Sequence, residues 1–408
     1  MSVNDNPYVR AVDDVVVCDS PGRRHRAFPT AVRLPNDDVL VGYRVGSDHH
    51  MTLDGAFYLT RSRDNGRTWS TPIVHTAIPG WDVCANIAQY PDGVMPDDEP
   101  FLYALLRQYR WVPEPGPEEG YRQAISFWSL SHDLGYTWEP SFPLYEETVA
   151  EVQTDRGPMK FWGLTPHTYS STLHRLADGR IMGLFCGRTD PTPYRSRAEG
   201  TASTQPPDWV LAGFSSDNLR TWTYRVIADS SGGIGFSEGD LVRLDNGRFV
   251  AIYGNNAGSP YFFETHSDDE GQTWSPMRQL DFRGDSPSMI RLTGNRILAA
   301  IRHMPEAGNP GIGLVISPDG GQSWQNLGNA VDQSMWDMGY PDLVRLADGR
   351  ILCVYYTASE KQPISDKLAA ELASREPMAT IFAGGIRPAA FGEIQSEIRA
   401  LILEEING

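Results

Sequence analysis

The chain has 408 residues, and 35 Lys and Arg against 52 Asp and Glu give it a formal net charge of −17 at pH 7. This acidic balance argues against a nucleic-acid or anionic-membrane partner, because a phosphate-binding surface needs a net positive footprint. Hydrophobic residues make up 40% and charged residues 21%, which is typical of a folded globular protein, and no stretch approaches the roughly 18 apolar residues that span a bilayer.

The N-terminal residues and the cysteines bear on the compartment. Residues 1–6 lack the basic and apolar regions of a secretory signal peptide, so we expect a cytoplasmic protein, with a trimmed secreted form as the alternative. No Cys-x-x-Cys pair and no zinc-finger spacing occurs in the sequence. We therefore expect free, buried thiols at Cys18, Cys84, Cys186 and Cys353.

In chain order, a short apolar strand at residues 14–18 precedes a unit that recurs along the sequence. The unit is an apolar strand, a turn rich in Asp, Asn and Gly, and a second apolar strand, as in Leu343-Val-Arg-Leu-Ala-Asp-Gly-Arg-Ile-Leu. Its copies begin near residues 26, 82, 165, 236, 285 and 338. Long loops near 91–101, 111–121, 145–165 and 190–208 separate the early strands, and such insertions usually shape a binding face.

A second repeat lies out of phase with the first. The octapeptide Ser62-Arg-Asp-Asn-Gly-Arg-Thr-Trp recurs, with some variation, in copies that begin at Ser131, Ser215, Ser267 and Ser317. Asp caps backbone amides of a hairpin turn, Gly supplies positive φ, and Trp packs between sheets. These turns are therefore interpreted as stabilising elements of the fold and not as catalytic groups.

The two repeats together predict an all-β protein, a six-bladed β-propeller over residues 1–388. The last blade lacks the tryptophan turn, and it is predicted to contain a helical insert at residues 364–372 and a final strand at 379–383. The early strand at 14–18 is predicted to close the ring against this blade, which would hide the sheet edges.

The tail is predicted to be an amphipathic helix over residues 389–408. Apolar residues recur there at helical spacing, namely Phe391, Ile394, Ile398, Leu401 and Ile402. The helix is expected to dock on the body or on a second subunit, so a homo-oligomer formed through it is one alternative.

The five Asp-containing turns, with Arg26-Ala-Phe-Pro29 at the start of the first blade, resemble the sialidase (neuraminidase, Asp-box or BNR-repeat) superfamily over about residues 14–385. The resemblance implies a first carboxylate-clamp arginine at Arg26 and an acid/base aspartate at Asp48. It also implies a glutamate at Glu238 that activates a tyrosine nucleophile at Tyr340. Such a pair works because the carboxylate takes the phenol proton.

The sequence departs from the family at two positions where a clamp arginine is expected. It reads Tyr253-Gly-Asn-Asn-Ala at the first and Asn309-Pro-Gly-Ile at the second, so the chain resembles a divergent member and sialic acid is not the expected substrate. Blade one is also similar to bacterial Asp-box proteins with an aromatic-Arg-x-Gly segment followed by His. That similarity implies a polar funnel with Arg44 and His50 on its wall.

In a propeller, side chains meet at the central funnel from the starts of inner strands and from the ends of second strands. Ionisable groups are crowded at these positions, which favours a chemical site. The predicted catalytic residues are Asp48, His50, Glu238 and Tyr340, and the predicted substrate-binding residues are Arg26, Arg44, His167, Arg188, Asp285, Arg302, His303 and Asp337.

We expect an exo-acting glycoside hydrolase that cleaves a terminal sugar, with acidic sugars among the candidates, from an oligosaccharide or glycoconjugate. A polysaccharide lyase that uses His and Tyr on a uronate is the first alternative, and a non-catalytic glycan-binding propeller is the second. The hydrolase needs no cofactor. No metal site is expected, because His49 and His50 are adjacent and not spaced as ligands on one helical face.

Overall fold

The computed structural model describes residues 6–18, 24–47, 54–89, 102–112, 121–139, 142–145, 149–166, 173–190, 208–217, 219–257, 259–306, 310–332, 338–358 and 396–406. Within these ranges the chain is almost entirely β-structure, with two short 3₁₀ turns at Ser230–Gly232 and Thr293–Asn295. No helix in the described ranges is long and apolar enough to cross a membrane.

The strands of the first half of the chain form a closing strand and three blades. They are β1 (Val9–Cys18); β2 (His25–Arg33), β3 (Val39–Gly46), β4 (Ala56–Ser62) and β5 (Ile73–Ala77) in blade 1; β6 (Asp82–Gln89), β7 (Leu102–Val112), β8 (Tyr121–Ser131) and β9 (Phe142–Tyr145) in blade 2; and β10 (Ala150–Thr154), β11 (Gly157–Pro166), β12 (His174–Arg175), β13 (Ile181–Arg188), β14 (Trp209–Ser215) and β15 (Thr223–Ala228) in blade 3.

The second half of the chain forms three more blades, and one long strand serves two of them. The strands are β16 (Gly235–Arg243), β17 (Phe249–Ala257), β18 (Tyr261–Ser267) and the first part of β19 (Arg278–Arg291) in blade 4; the rest of β19, β20 (Ile297–His303), β21 (Gly311–Ser317) and β22 (Gln325–Asp332) in blade 5; and β23 (Met338–Arg345), β24 (Ile351–Ala358) and β25 (Ser396–Glu405) in blade 6. The predicted six-bladed propeller is confirmed.

The N-terminal strand closes the ring, as the sequence predicts. β1 is the outermost strand of blade 6 and pairs antiparallel with β25 from Val9 opposite Glu405 to Cys18 opposite Ile398. Both ends of the described chain therefore lie in the same sheet, and β25 has a hydrogen-bonded neighbour on each side. This pairing covers an edge that would otherwise be open to association.

The predicted C-terminal helix is wrong, because residues 396–405 form strand β25. Ile398, Ala400 and Ile402 pack in the cluster shared with blade 1, whereas Leu401 and Leu403 pack in the cluster shared with blade 5. A strand buried on both faces has a nearly continuous apolar run, which helical spacing also fits. The tail residues of this strand thus pack against the body of the same chain, which was one of the two predicted positions. The predicted insert at 364–372 and strand at 379–383 lie outside the described residues.

The five octapeptides are turns between the third and fourth strands of blades 1 to 5. In the copy at Ser267, the serine hydroxyl donates to Asp269 (2.9 Å), the Gly271 amide donates to the serine (2.9 Å), and the Thr273 amide donates to Asp269 (2.8 Å). The Trp274 indole donates to the Gly271 carbonyl at 3.1 Å. Local hydrogen bonds thus satisfy the turn, as its composition predicts. All four cysteines are buried, and no disulfide joins them in the described part of the chain.

Buried polar side chains join the inner strand of one blade to the inner strand of the next. The Met289 amide of blade 5 donates to Asp240 of blade 4 at 2.5 Å, and the Ser288 hydroxyl of blade 5 donates to Asp342 of blade 6 at 2.9 Å. The other carboxylate oxygen of Asp342 accepts the Ala31 amide of blade 1 at 2.8 Å. Blades 4, 5, 6 and 1 are therefore held in register around the axis by these hydrogen bonds.

The order of the strands determines which residues share a face of the ring. The turns between first and second strands, and between third and fourth, lie on one face, because successive strands are antiparallel. The starts of inner strands and the ends of second strands therefore lie together on the other face. This is the face on which the sequence places the site.

Candidate active site

Four inner strands break their register at the same position near their starts. The residues at the breaks, here called the bulge residues, have positive φ: Phe28 (55°), Glu238 (47°), Ser286 (51°) and Tyr340 (48°). The next residue is Pro29, Gly239, Pro287 or Pro341. Proline cannot donate to the ladder, so regular pairing stops there and the preceding side chain is redirected. Left-handed backbone at non-glycine residues is costly and concentrates at functional sites.

The bulge residues contact one another. The Tyr340 hydroxyl donates to Glu238 Oε1, and Ser286 Oγ lies 2.5 Å from Glu238 Oε2. The Phe28 ring meets the Tyr340 ring edge to face, with centroids 4.7 Å apart. Side chains from blades 1, 4, 5 and 6 thus form one cluster, and it contains the glutamate and tyrosine that the sequence places in the catalytic pair.

Arg302 lies against this cluster and is held on all three guanidinium nitrogens. Its Nε donates to the Met338 carbonyl at 2.8 Å, and its Nη2 donates to the Tyr356 hydroxyl at 2.9 Å. Nη1 lies 3.4 Å from Asp285 Oδ1, and Cζ lies 4.8 Å from the centre of the Tyr340 ring. Arg302 is 2% exposed, so it is a fixed positive charge beside the tyrosine.

A glycine makes room for this guanidinium. A Cβ at Gly339 would stand 2.2 Å from Arg302 Nε, so any larger residue would displace the arginine. Gly339 immediately precedes Tyr340, and the same short segment therefore admits the charge and presents the phenol.

The electrostatics prepare Glu238 to exchange a proton near neutral pH. Burial raises the pKa of Glu238 to about 7, the neighbouring Asp285 charge adds to the rise, and Arg302 and the hydrogen bonds from Ser286 and Tyr340 oppose it. A carboxylate with a pKa near the working pH is the form suited to general base catalysis.

Two of the predicted arginines serve contacts at blade junctions. Arg44 is 1% exposed, and its Nε donates to Asp82 of blade 2 at 2.7 Å. Gly55 leaves space for that carboxylate, since a Cβ there would lie 1.5 Å from Asp82 Oδ1. Arg26 donates from Nη1 to the Arg24 carbonyl at 3.1 Å, and its backbone amide and carbonyl both bond the Ser396 hydroxyl at 2.6 Å. The backbone of Arg26 thereby joins blade 1 to β25 of blade 6 through hydrogen bonds.

The structure places the remaining predicted residues as follows. Arg188 is buried and donates to the Asp190 carbonyl at 3.1 Å. His303 lies on the opposite face of β20 from Arg302, with Nδ1 2.6 Å from Asn329 Oδ1. Burial lowers the pKa of His303, although the Asn329 hydrogen bond opposes the shift. Asp48, His50, His167 and Asp337 lie outside the described residues.

Sequence reasoning did not identify Ser286 as a site residue, although it named its neighbour Asp285. The sequence pattern that could have identified it is Ser286-Pro287, which occupies the same position at the start of its blade as Phe28-Pro29 and Tyr340-Pro341 do in theirs. Comparing the blade starts with one another would have found it. In the described part of the chain, no group of three or more His, Cys, Asp or Glu side chains is arranged to hold a metal ion.

Comparisons with known proteins agree with this architecture. The family model described as a BNR repeat-like domain matches residues 165–353. A protein of unknown function from Dyadobacter fermentans superposes with a TM-score of 0.68 at 20% identity, covering 98% of this chain and 100% of that one. No curated protein sequence matches the chain.

Two further solved structures are of proteins described as glycosidases. The Hadza microbial sialidase Hz136 has a TM-score of 0.56 at 16% identity, covering 82% of this chain and 65% of that one. The α-L-arabinanase of Penicillium chrysogenum, complexed with arabinobiose, has a TM-score of 0.56 at 14% identity, covering 97% of this chain and 99% of that one. At these identities the likeness shows the fold. With its repeats, its six blades and the BNR match over residues 165–353, the chain resembles the sialidase-like BNR-repeat propellers in its fold.

Proposed function

We propose that this protein is a glycoside hydrolase that releases a terminal sugar, with Tyr340 as the nucleophile and Glu238 as its base. The observation that carries the proposal is the hydrogen bond from the Tyr340 hydroxyl to Glu238, made beside the guanidinium of Arg302. A phenol is a weak nucleophile until a base takes its proton, and a positive charge at the ring stabilises the phenolate that forms.

The geometry supports a two-step displacement. The Tyr340 proton moves to Glu238 Oε1, and the phenolate oxygen bonds to the anomeric carbon as the glycosidic bond breaks. The leaving oxygen takes a proton from an acid, for which Asp48 remains the predicted residue. Water then attacks the tyrosyl glycoside and gives a proton to the acid, Asp48, while the released phenolate recovers its proton from Glu238. Two displacements retain the anomeric configuration.

The arginines support a terminal sugar without a carboxylate. Holding a carboxylate strongly requires an arginine fork with two free donors. Arg302 has a protein partner at each of its three guanidinium nitrogens. Arg44 and Arg188 each donate from Nε to a protein partner, and they are 1% and 8% exposed. The whole-length likeness to an arabinanase, which is complexed with arabinobiose, is in keeping with a neutral sugar.

The test is turnover on a panel of chromogenic glycosides of neutral furanoses and pyranoses, sialic acid and uronic acids. Release of a neutral sugar that is lost in Glu238→Gln and Tyr340→Phe is expected. Tyr253→Phe is the matched control. It also removes the hydroxyl of a buried tyrosine, but that hydroxyl has no hydrogen-bond partner among the described residues. Turnover by Tyr340→Phe at the wild-type rate would refute the nucleophile assignment.

The same panel separates the alternatives. Growth of the ultraviolet absorbance of unsaturated uronates, without hydrolysis, would replace the hydrolase with a lyase. Binding of a sugar without either product would indicate a glycan-binding propeller.

A further inference from the structure

One serine hydroxyl lies between two carboxylates beside the tyrosine. Ser286 Oγ is 2.5 Å from Glu238 Oε2 and 2.9 Å from Asp285 Oδ1. Both distances are those of hydrogen bonds between oxygens. The two carboxylates come from different blades, and the serine is on the strand that starts blade 5.

Counting hydrogens shows that this arrangement needs an extra proton. A serine hydroxyl carries one hydrogen and can donate it to one carboxylate. If Glu238 and Asp285 were both ionised, the other contact would place two oxygens together with no hydrogen between them. One carboxyl group must therefore be protonated and donate to the serine oxygen.

The neighbouring charges decide where that proton resides. Asp285 forms an ion pair with Arg302, whose Nη1 lies 3.4 Å from Asp285 Oδ1, so a positive charge already faces this carboxylate. Burial and the Asp285 charge raise the pKa of Glu238. The resting state therefore has the proton on Glu238 Oε2, which donates to Ser286, while Ser286 donates to Asp285. Glu238 Oε1 accepts from Tyr340 in the same state.

Resting on the proposed function, we propose that Glu238, Ser286 and Asp285 form one proton-sharing unit that serves as the base for Tyr340. When the phenol proton moves to Glu238 Oε1, the proton on Oε2 moves to Ser286 Oγ, and the original serine proton moves to Asp285 Oδ1. Glu238 and Ser286 each gain one proton and lose one, so both are neutral before and after the transfer. The negative charge passes from Asp285 to the Tyr340 oxygen, and no co-reactant is needed.

Arg302 lowers the electrostatic cost of moving the negative charge from Asp285 to Tyr340. Its guanidinium faces Asp285 at 3.4 Å and lies over the Tyr340 ring at 4.8 Å, so the same cation is beside the negative charge before and after the transfer. The groups that face the unit from neighbouring strands are Arg302 on β20, Tyr340 on β23 and Tyr356 on β24. Tyr356 reaches the unit through its hydrogen bond to Arg302.

The experiment compares two titrations of the same full-length protein. The first, made without substrate, follows the infrared band of the protonated Glu238 carboxyl, identified by its loss in Glu238→Gln. The second is the acid limb of kcat on the best sugar of the panel. In the wild type we expect the acid limb to lie at lower pH than the Glu238 titration, because Asp285 accepts the proton while Glu238 is still protonated.

Ser286→Ala and Ser286→Gly remove the hydroxyl in two ways. Glycine suits the φ of 51° at this position, so equal behaviour of the two variants assigns the effect to the hydroxyl. In both, the acid limb should rise to coincide with the Glu238 titration, and kcat below that pH should fall about 10-fold for each pH unit. The Glu238 titration itself should move down in Ser286→Ala, which loses the oxygen that accepts the Glu238 proton, and also down in Asp285→Asn, which loses a neighbouring negative charge.

Ser288→Ala is the matched control, because that serine is on the same strand and also donates to a carboxylate, that of Asp342. It should leave both titrations unchanged. Coincident titrations in the wild type, or an unchanged gap in the Ser286 variants, would overturn the proposal even if the glycosidase activity is real. If no sugar is turned over, downward infrared shifts of the Glu238 titration in both Ser286→Ala and Asp285→Asn support the proton-sharing unit without the glycosidase, and an upward shift or no shift in Ser286→Ala refutes it.

Discussion

Replacing Asp342 with asparagine is expected to change how the stability of the protein depends on pH. Asp342 is 5% exposed, and its carboxylate joins blades 5, 6 and 1 through the Ser288 hydroxyl and the Ala31 amide. Burial raises its pKa from 3.8 to about 7, although those hydrogen bonds oppose the rise. Asparagine has a similar shape and does not titrate.

The sign and size follow from proton linkage. Between the unfolded and folded pKa values, the folded state holds a proton that the unfolded chain has released, so the stability contributed at Asp342 falls as pH rises through this window. A shift of about 3 pKa units corresponds to about 4 kcal/mol. Relative to the wild type, Asp342→Asn should therefore gain up to about 4 kcal/mol between pH ~4 and pH ~8.

The assay is denaturant unfolding, followed by tryptophan fluorescence, at several pH values across this range. Asp178→Asn is the control, because its pKa is lowered by its Arg180 contacts and its linkage has the opposite sign. A constant difference between Asp342→Asn and the wild type at every pH would refute the reasoning, since the carboxyl group would then titrate alike in both states.

Three further predictions concern the turns, the bulges and the closing strand. Asp269→Ala removes an acceptor of hydrogen bonds in an exposed turn, so thermal unfolding should show a loss of about 1–2 kcal/mol with turnover unchanged. Gly239→Ala would place a Cβ 2.2 Å from the Tyr253 ring, and we expect about 1–3 kcal/mol of destabilisation and a marked loss of turnover as Glu238 is displaced; wild-type values of both would contradict this. Deleting residues 1–18 would expose the edge of β25, and light scattering should detect association that the full-length chain does not show.

The blades could be predicted from sequence because their turns are determined locally. The Asp, Gly and Thr of each octapeptide bond within a few residues of one another, so their spacing alone specifies the structure. The glutamate and tyrosine of the site were found through a family resemblance that also rests on local motifs.

The remainder depends on contacts between distant residues. The Ser286 hydroxyl contacts the Glu238 carboxylate, 48 positions away in the sequence, and Arg44 donates to the Asp82 carboxylate, 38 positions away. No local sequence pattern indicates either pairing. The segment at 396–405 contains apolar residues at spacings that fit both a helix and a strand buried on two faces. This segment is a strand because it pairs with β1 and β24. Its own sequence does not reveal that pairing.

The bulge residues have a consequence for how activities arise in this fold. Each stands at an equivalent place in its blade. A carboxylate, a hydroxyl, a phenol and a phenyl ring occupy these places here. Because the same backbone bulge carries four different side chains in one molecule, the ring supplies equivalent positions from which new chemistry can be assembled.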